Sequence, residues 1–213
     1  MKITILNTSS NHPVNAWLEK WILKNEKAHD IDLVRSRKEL TEGDLLFLIS
    51  CSEFISASDR MKYSKTLVIH ASDLPKGRGW SPHIWEILNG AESIILTLLE
   101  AEDKIDSGPI WKKIQADIPK TALYDEINSI IFDSEILLMD FAIENFSRIV
   151  PVQQDNIEAT FWPRRTELDS EIDIQKSIAE QFDLIRVCDP DRYPAFFHIN
   201  GKKFKFILEV IDE

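Results

Sequence analysis

Leu45-Leu46-Phe47-Leu48-Ile49 is an unbroken apolar run that begins directly after Gly43-Asp44. A strand with no polar alternation must be buried on both sides, as in a parallel sheet with helices on both faces. Ile3 to Leu6, Thr66 to Ile69 and Ser93 to Leu99 read the same way, while Ile31 to Val34 and Ile110 to Ile114 are weaker strands. Pro13 to Lys24 spaces Val14, Trp17, Leu18, Trp21 and Ile22 at helical intervals. Pro82 to Leu88 reads as a helix with proline in its first turn and Asn89-Gly90 at its end. Thr121 to Arg148 is the longest helical stretch, apolar over much of its circumference and so expected against the sheet. Glu53 to Tyr63 fits either a short helix or an irregular loop. Strands alternating with helices over residues 1–150 give an α/β domain with a mostly parallel sheet.

Pro151 and the polar run from Gln153 to Asn156 mark a boundary, which divides the chain into a domain at 1–156 and a short α+β appendage at 157–213. Within the appendage, Ala159 to Trp162 is strand-like. Asp169 or Ser170 caps an expected helix reaching about Val187, with Ile174, Ile178, Phe182 and Ile185 on one face. Asn200-Gly201 between Phe196–Ile199 and Phe204–Leu208 predicts a two-residue hairpin.

Charge and cysteine content narrow the function classes. Lys+Arg 25 against Asp+Glu 36 leaves a net charge of −11, which argues against a broad phosphate-backbone footprint and hence against a nucleic-acid partner. Cys51 and Cys188 belong to no CxxC or Cys/His cluster, so neither a disulfide framework nor a metal site is expected, and a reducing cytoplasm is the default. No stretch approaches the ~20 apolar residues that cross a bilayer, so no membrane partner is expected. No GxGxxG or GxxxxGK[ST] follows a strand, which removes the usual phosphate-cradling loops.

Two loops carry the chemistry. The strand ending at His70 is followed by Ala71-Ser72-Asp73-Leu74-Pro75-Lys76-Gly77-Arg78-Gly79-Trp80-Ser81-Pro82, a polar loop that places a titratable ring at the carboxyl edge of a sheet. The strand ending near Glu100 is followed by Ala101 to Pro109 and is expected to open onto the same edge. A carboxylate arriving there would orient the imidazole. Each loop alone also reads as ordinary surface: a strand-end histidine with a hydrogen bond, and an Asp106-Ser107-Gly108 turn.

Together, in this order and spacing, they resemble the folate-dependent formyltransferase family, which includes methionyl-tRNA, glycinamide ribonucleotide and sugar-nucleotide N-formyltransferases. The family's first signature, an Asn-x-His, a small residue, Ser, Leu-Leu-Pro and an Arg-Gly-x-x-Pro, is matched by Val68-Ile69-His70-Ala71-Ser72-Asp73-Leu74-Pro75 and Arg78-Gly79-Trp80-Ser81-Pro82. Its Leu-Asp-x-Gly-x-Ile loop is matched by Ile105-Asp106-Ser107-Gly108-Pro109-Ile110. Trp85 to Gly90, Phe161-Trp162-Pro163-Arg164-Arg165, and Arg186 through Asn200-Gly201-Lys202-Lys203 extend the resemblance over nearly the whole chain.

The resemblance implies a Rossmann-like catalytic domain, N10-formyltetrahydrofolate as formyl donor, and an amine as acceptor. It makes His70 and Asp106 the catalytic pair: His70 stabilises the oxygen formed when the amine attacks the formyl carbon, or manages its proton, and Asp106 orients His70 and helps relay the amine proton. Two loops, Cys51 through Ile55 and Asp103 through Asp106, map to the pterin site, with Phe54, Ile55 and Asp103 its contacts. One departure from the family matters, because Val68 stands where the family has an asparagine that donates to the formyl oxygen. Losing one such donor costs about 10²–10³ in rate. Ser50 and Ser52 are candidate replacements.

Among acceptors, an amino-sugar nucleotide fits best. Transfer RNA is disfavoured by the −11 charge and by a tail too short for that enzyme's full barrel domain. Ser72, Lys76 and Arg78 are the candidate substrate contacts, the two cations meeting a diphosphate. A homodimer is expected by analogy alone. Two alternatives stay open: a non-catalytic family member that binds without turnover, motivated by Val68, and a methionyl-tRNA formyltransferase.

Overall fold

The computed structural model describes residues 1–155 and 157–211. The expected boundary residue Asn156 and the last two positions, Asp212 and Glu213, lie outside the described residues. A six-stranded sheet is built from β1 (Lys2–Leu6), β2 (Asp30–Val34), β3 (Gly43–Leu48), β4 (Tyr63–His70), β6 (Ser93–Glu100) and β7 (Ile110–Asp117), in the order β2-β1-β3-β4-β6-β7. β1 pairs in parallel with β2 and β3, and β3 with β4, whereas β4–β6 and β6–β7 are antiparallel. The sheet is therefore mostly parallel, with an antiparallel flank.

One face of the sheet is dry and helix-covered. Ile3, Ile5, Leu45, Phe47, Leu67, Ile94, Leu96 and Leu98 pack with Leu18 and Trp21 of α1 (Asn15–Asn25) and with Ile127, Ile131, Leu138 and Met139 of α4 (Tyr124–Asn145). The two helices are also joined at their polar edges, since Trp17 Nε1 donates to Asp133 and Trp21 Nε1 to Asp140, both at 2.7 Å.

The other face differs from expectation. There the strand residues Leu6, Leu46, Leu48 and Tyr63 form a smaller cluster with Leu40 and Ile55 from loops, and the nearby helix, the four-residue α2 (Ala57–Arg60), buries no residue of its own. Val68 packs against this cluster. Side chains alternate along a strand, so Thr66, Val68 and His70 share that face while Leu67 and Ile69 point into the main core. Helical cover is thus one-sided here, and the strand that carries His70 presents it to a loop-lined surface.

The appendage is less regular than its sequence suggests. In place of one helix to Val187, the chain forms 3₁₀ turns at Glu167–Ser170 and Ala179–Gln181 and a short α5 (Phe182–Arg186). Local side chains capture the backbone: Asp173 accepts from Gln175 N, Glu180 accepts from Ser177 N, and the Gln181 amide donates to the carbonyl of Asp173 at 3.0 Å. Such bonds compete with a helix, and they leave Ile174 and Ile178 exposed instead of on a buried stripe. The hairpin is as expected: β9 (Ala195–Ile199) and β10 (Lys202–Phe206) are antiparallel, with Asn200 and Gly201 at φ 49° and 75°. Among the described residues, no helix is long and apolar enough to cross a membrane.

Candidate active site

β4 ends at His70, whose ring is almost wholly enclosed. The loop after it is folded on its own polar groups. Ser72 Oγ donates to the Lys76 carbonyl at 2.9 Å, and the Ser72 carbonyl accepts from Thr97 Oγ1 at 2.7 Å. This turn brings the Gly77 carbonyl to 2.9 Å from His70 Nε2. A carbonyl can only accept, so the neutral imidazole carries its proton on Nε2 and leaves Nδ1 open.

Nδ1 faces Asp106. Its Oδ1 lies 3.6 Å away, and both side chains are under a tenth exposed, at 8% and 9%. The other oxygen, Oδ2, accepts the Gly79 backbone amide at 2.9 Å. The two loops singled out in the sequence therefore meet, although not by the expected route. β6 runs antiparallel to β4, so Glu100 lies beside Leu67, and the strand that carries His70 ends at the level of Thr97. The loop 101–109 folds back toward His70 from the opposite direction. Gly108 makes the fold-back possible, because a Cβ there would stand 1.9 Å from the Glu100 carbonyl oxygen. Asp106 itself takes φ 52°, a left-handed conformation that only tightly determined surroundings sustain.

A third segment, read in the sequence as a boundary followed by a strand-like stretch at Ala159 to Trp162, supplies those surroundings. β5 (Arg78–Gly79) pairs in parallel with β8 (Phe161–Trp162). Gly79, at φ 103°, lies so close to this partner that a Cβ would stand 2.5 Å from the Trp162 carbonyl oxygen. Trp162 stacks on Trp85 of α3 (Pro82–Leu88) with centroids 5.8 Å apart. Farther back, Val152 bridges to Ile110. Between them the Gln154 amide nitrogen donates to the carbonyls of Asp106 (2.9 Å) and Gly108 (3.0 Å), and its oxygen accepts Arg78 Nη2 at 2.7 Å. No local motif announces such a residue, since its partners are main-chain carbonyls that any sequence provides.

The remaining sequence candidates fall into two groups. Ile55 is buried, Phe54 is exposed, and the Asp103 side chain is largely in solvent. Arg60 joins their loops, with Nη1 donating to the Ile55 carbonyl at 2.7 Å and Nη2 to Asp103 Oδ1 at 2.5 Å. Lys76 is exposed on the His70 loop, whereas Ser72 is fully buried with its hydroxyl committed to the turn, and Arg78 is held by Gln154. The hydroxyls considered as replacements at Val68 have partners of their own: Ser50 Oγ is 3.3 Å from His12 Nε2, and Ser52 Oγ is 3.0 Å from Thr8 Oγ1.

Burial shifts several neighbours. The His83 ring is pushed down to about 4, chiefly by burial and then by the charges of His12, His70 and Arg165. His12 is likewise lowered to about 4, mainly by burial. Glu86 is pushed up to about 7 by burial and by the nearby Asp73 charge. His83, within electrostatic reach of His70, is thus a neutral imidazole at neutral pH and adds no positive charge beside the pair.

The family described as Formyl transferase matches residues 3–139. The methionyl-tRNA formyltransferase of Lachnospira eligens is 29% identical over 190 residues, covering 86% of this chain and 59% of that protein. This chain therefore spans well under two thirds of that curated relative's length. Among solved structures, the methionyl-tRNA formyltransferase from Clostridium thermocellum superposes with a TM-score of 0.81 at 26% identity, covering 100% of this chain and 94% of that one. A 4-N formyltransferase from Francisella tularensis shares the fold, with a TM-score of 0.73 at 18% identity over 100% and 98% of the two chains.

Proposed function

The chain belongs to the formyl transferase family, and from that premise we propose that it moves a formyl group from N10-formyltetrahydrofolate to the primary amine of an amino-sugar nucleotide. One observation carries the reading: His70 Nδ1 and Asp106 Oδ1, delivered by loops far apart in sequence, approach to 3.6 Å in an enclosed setting.

The folate loops fit the donor. Phe54 offers exposed apolar surface on one loop and Asp103 a carboxylate on the other, and Arg60 ties the two loops together, so a flat heterocycle would find an apolar contact and an acceptor there. Bound there, N10-formyltetrahydrofolate supplies the formyl carbon as the electrophile. The chain's own residues manage the proton. Nε2 is occupied by the Gly77 carbonyl, so Nδ1 is the nitrogen that takes a proton from the attacking amine. Asp106, fixed by the Gly79 amide, stabilises the imidazolium that forms, and the proton is then passed to N10 as the formyl carbon–N10 bond breaks and tetrahydrofolate leaves. The gap of 3.6 Å leaves Nδ1 without a direct hydrogen bond to the carboxylate, and so free to accept.

Acceptor choice rests on charge. The chain carries −11 overall, while Lys76 stands exposed on the catalytic loop and Arg164 lies 5.0 Å over the Trp80 ring. A compact diphosphate suits a few isolated cations on an acidic chain better than a long polyanion does. Methionyl-tRNA is the second reading, favoured by the similarity to methionyl-tRNA formyltransferases.

The deciding experiment incubates the protein with N10-formyltetrahydrofolate and, separately, with UDP-, dTDP- and GDP-linked amino sugars and methionyl-tRNA. A sugar nucleotide heavier by one formyl group is the expected product. Formylation of methionyl-tRNA alone moves the assignment to the second reading. No transfer to any of these amines removes the proposal.

A further inference from the structure

We infer that Gln154 is a positioning residue that holds Asp106 in register with His70. The inference rests on the formyl-transfer reading for its kinetic consequence, though not for its geometry. Asp106 sits at φ 52° on a loop that reaches His70 by folding back. A residue in that conformation persists only where its surroundings over-determine it. Gln154 fixes the chain immediately C-terminal to the Asp106 Cα with one amide group: its nitrogen donates to the Asp106 and Gly108 carbonyls, while its oxygen takes Arg78 Nη2.

The orientation of the amide is determined by its partners. A guanidinium has no acceptor and a carbonyl has no donor, so the oxygen must face Arg78 and the nitrogen must face the two carbonyls. All of the side chain's polar capacity is thus spent across the two catalytic loops. Arg78 lies next to Gly79, whose amide donates to Asp106 Oδ2. The circuit therefore closes: Gln154 to the Asp106 main chain, the Asp106 carboxylate to Gly79, and Arg78 back to Gln154.

This circuit makes isosteric and truncating changes behave differently. Gln154→Glu keeps an oxygen for Arg78 but sets a carboxylate oxygen against two carbonyls, so it releases the Asp106 loop alone. Gln154→Ala releases both loops. If Asp106 is the element being held, its loss must make Gln154 irrelevant, whereas a residue that merely supports the fold would add its cost independently.

The test uses the full chain and two readouts. Amide hydrogen exchange of Gly79, followed by NMR, reports the hydrogen bond to the Asp106 carboxylate without substrate. Turnover with N10-formyltetrahydrofolate and whichever amine is formylated fastest reports the kinetic effect. In Gln154→Glu, Gly79 exchange should quicken at least about tenfold and kcat should fall at least about tenfold, with KM for the amine within twofold and the thermal midpoint nearly unchanged. In Gln154→Ala, KM for the amine should rise as well. In the Asp106→Asn background, Gln154→Glu should cost less than twofold more. Wild-type exchange at Gly79 in Gln154→Glu, or losses that multiply in the double variant, overturn the inference. A wild-type rate in Asp106→Asn alone overturns the catalytic reading instead, and the Gly79 exchange then still decides whether Gln154 holds the loop.

Discussion

Asp106 divides its two carboxylate oxygens between Gly79 and His70: Oδ2 accepts the Gly79 amide at 2.9 Å, and Oδ1 lies 3.6 Å from the imidazole. One side chain thus reads both ends of the loop that follows β4, the ring at its start and the Gly79 amide nine residues on. Asp106→Asn replaces one acceptor with a donor, which must either lose the Gly79 bond or turn an N–H toward Nδ1. We expect this variant and His70→Ala each to lower the rate of formyl transfer at least about 10²-fold, measured as steady-state kcat with the amine identified above. A near-wild-type rate in either variant counts against the proton-handling role.

Gly108 tolerates no side chain. An added Cβ would meet the Glu100 carbonyl oxygen at 1.9 Å, and both atoms belong to backbone that cannot swing aside. Gly108→Ala should destabilise the protein by about 2–3 kcal/mol, read from urea unfolding. The same change at Gly201, where nothing lies within 4 Å of an added Cβ, should cost only about 1 kcal/mol through its φ of 75°. Equal costs at the two positions would show that the fold-back at Glu100 is not tight.

Val68 shares a sheet face with His70 and packs against the cluster of Leu46, Leu48 and Ile55. The neighbouring hydroxyls of Ser50 and Ser52 are turned to His12 and Thr8. Val68→Asn should therefore add a donor that neither of these two hydroxyls supplies. Turnover should rise about tenfold, at a stability cost of about 1–2 kcal/mol for burying the amide. Unchanged turnover in a folded variant would mean that another donor already serves.

Glu135 lies on the buried side of α4, and its Oε2 has no hydrogen-bond partner. Burial alone pushes its carboxyl from 4.5 up to about 8. The folded-state value exceeds the unfolded one, so the contribution of the protonated form is whole below about 4.5 and is lost as pH rises toward 8. Glu135→Gln keeps the shape without the charge. It should leave stability nearly unchanged at pH 4 and raise it by about 2 kcal/mol at pH 8, seen as a flatter dependence of the unfolding midpoint on pH. A midpoint that moves equally at both pH values would refute the burial argument.

The elements that could be read from sequence were those whose cause is local. Leu45 to Ile49 had to be an interior strand, Asn200-Gly201 had to turn a hairpin, and the His70 and Asp106 loops kept enough of their signatures to be paired despite Val68. The direction of β6 was not legible, because a strand buried on both faces has the same composition whichever way it runs. The helix expected to reach Val187 fails because Asp173, Ser177, Glu180 and Gln181 bond to nearby backbone, a choice that depends on rotamers and not on periodicity. Gln154 was hidden for a third reason: its partners are carbonyl oxygens at Asp106 and Gly108, brought near only by the completed fold.

The pairing of Arg78–Gly79 with Phe161–Trp162 has a consequence for exchanging parts between relatives. A chimera spliced just after α4, where the long helix ends and the chain looks dispensable, would import foreign residues into the scaffold of the catalytic loops. The loop scaffold extends to Pro163, whose carbonyl is still gripped by the Trp85 indole at 3.0 Å. Tails joined beyond that point must still seat Val187 in the main core and Arg186 on the Pro119 and Ala122 carbonyls, while any joined earlier must also bring their own glutamine and their own aromatic anchor.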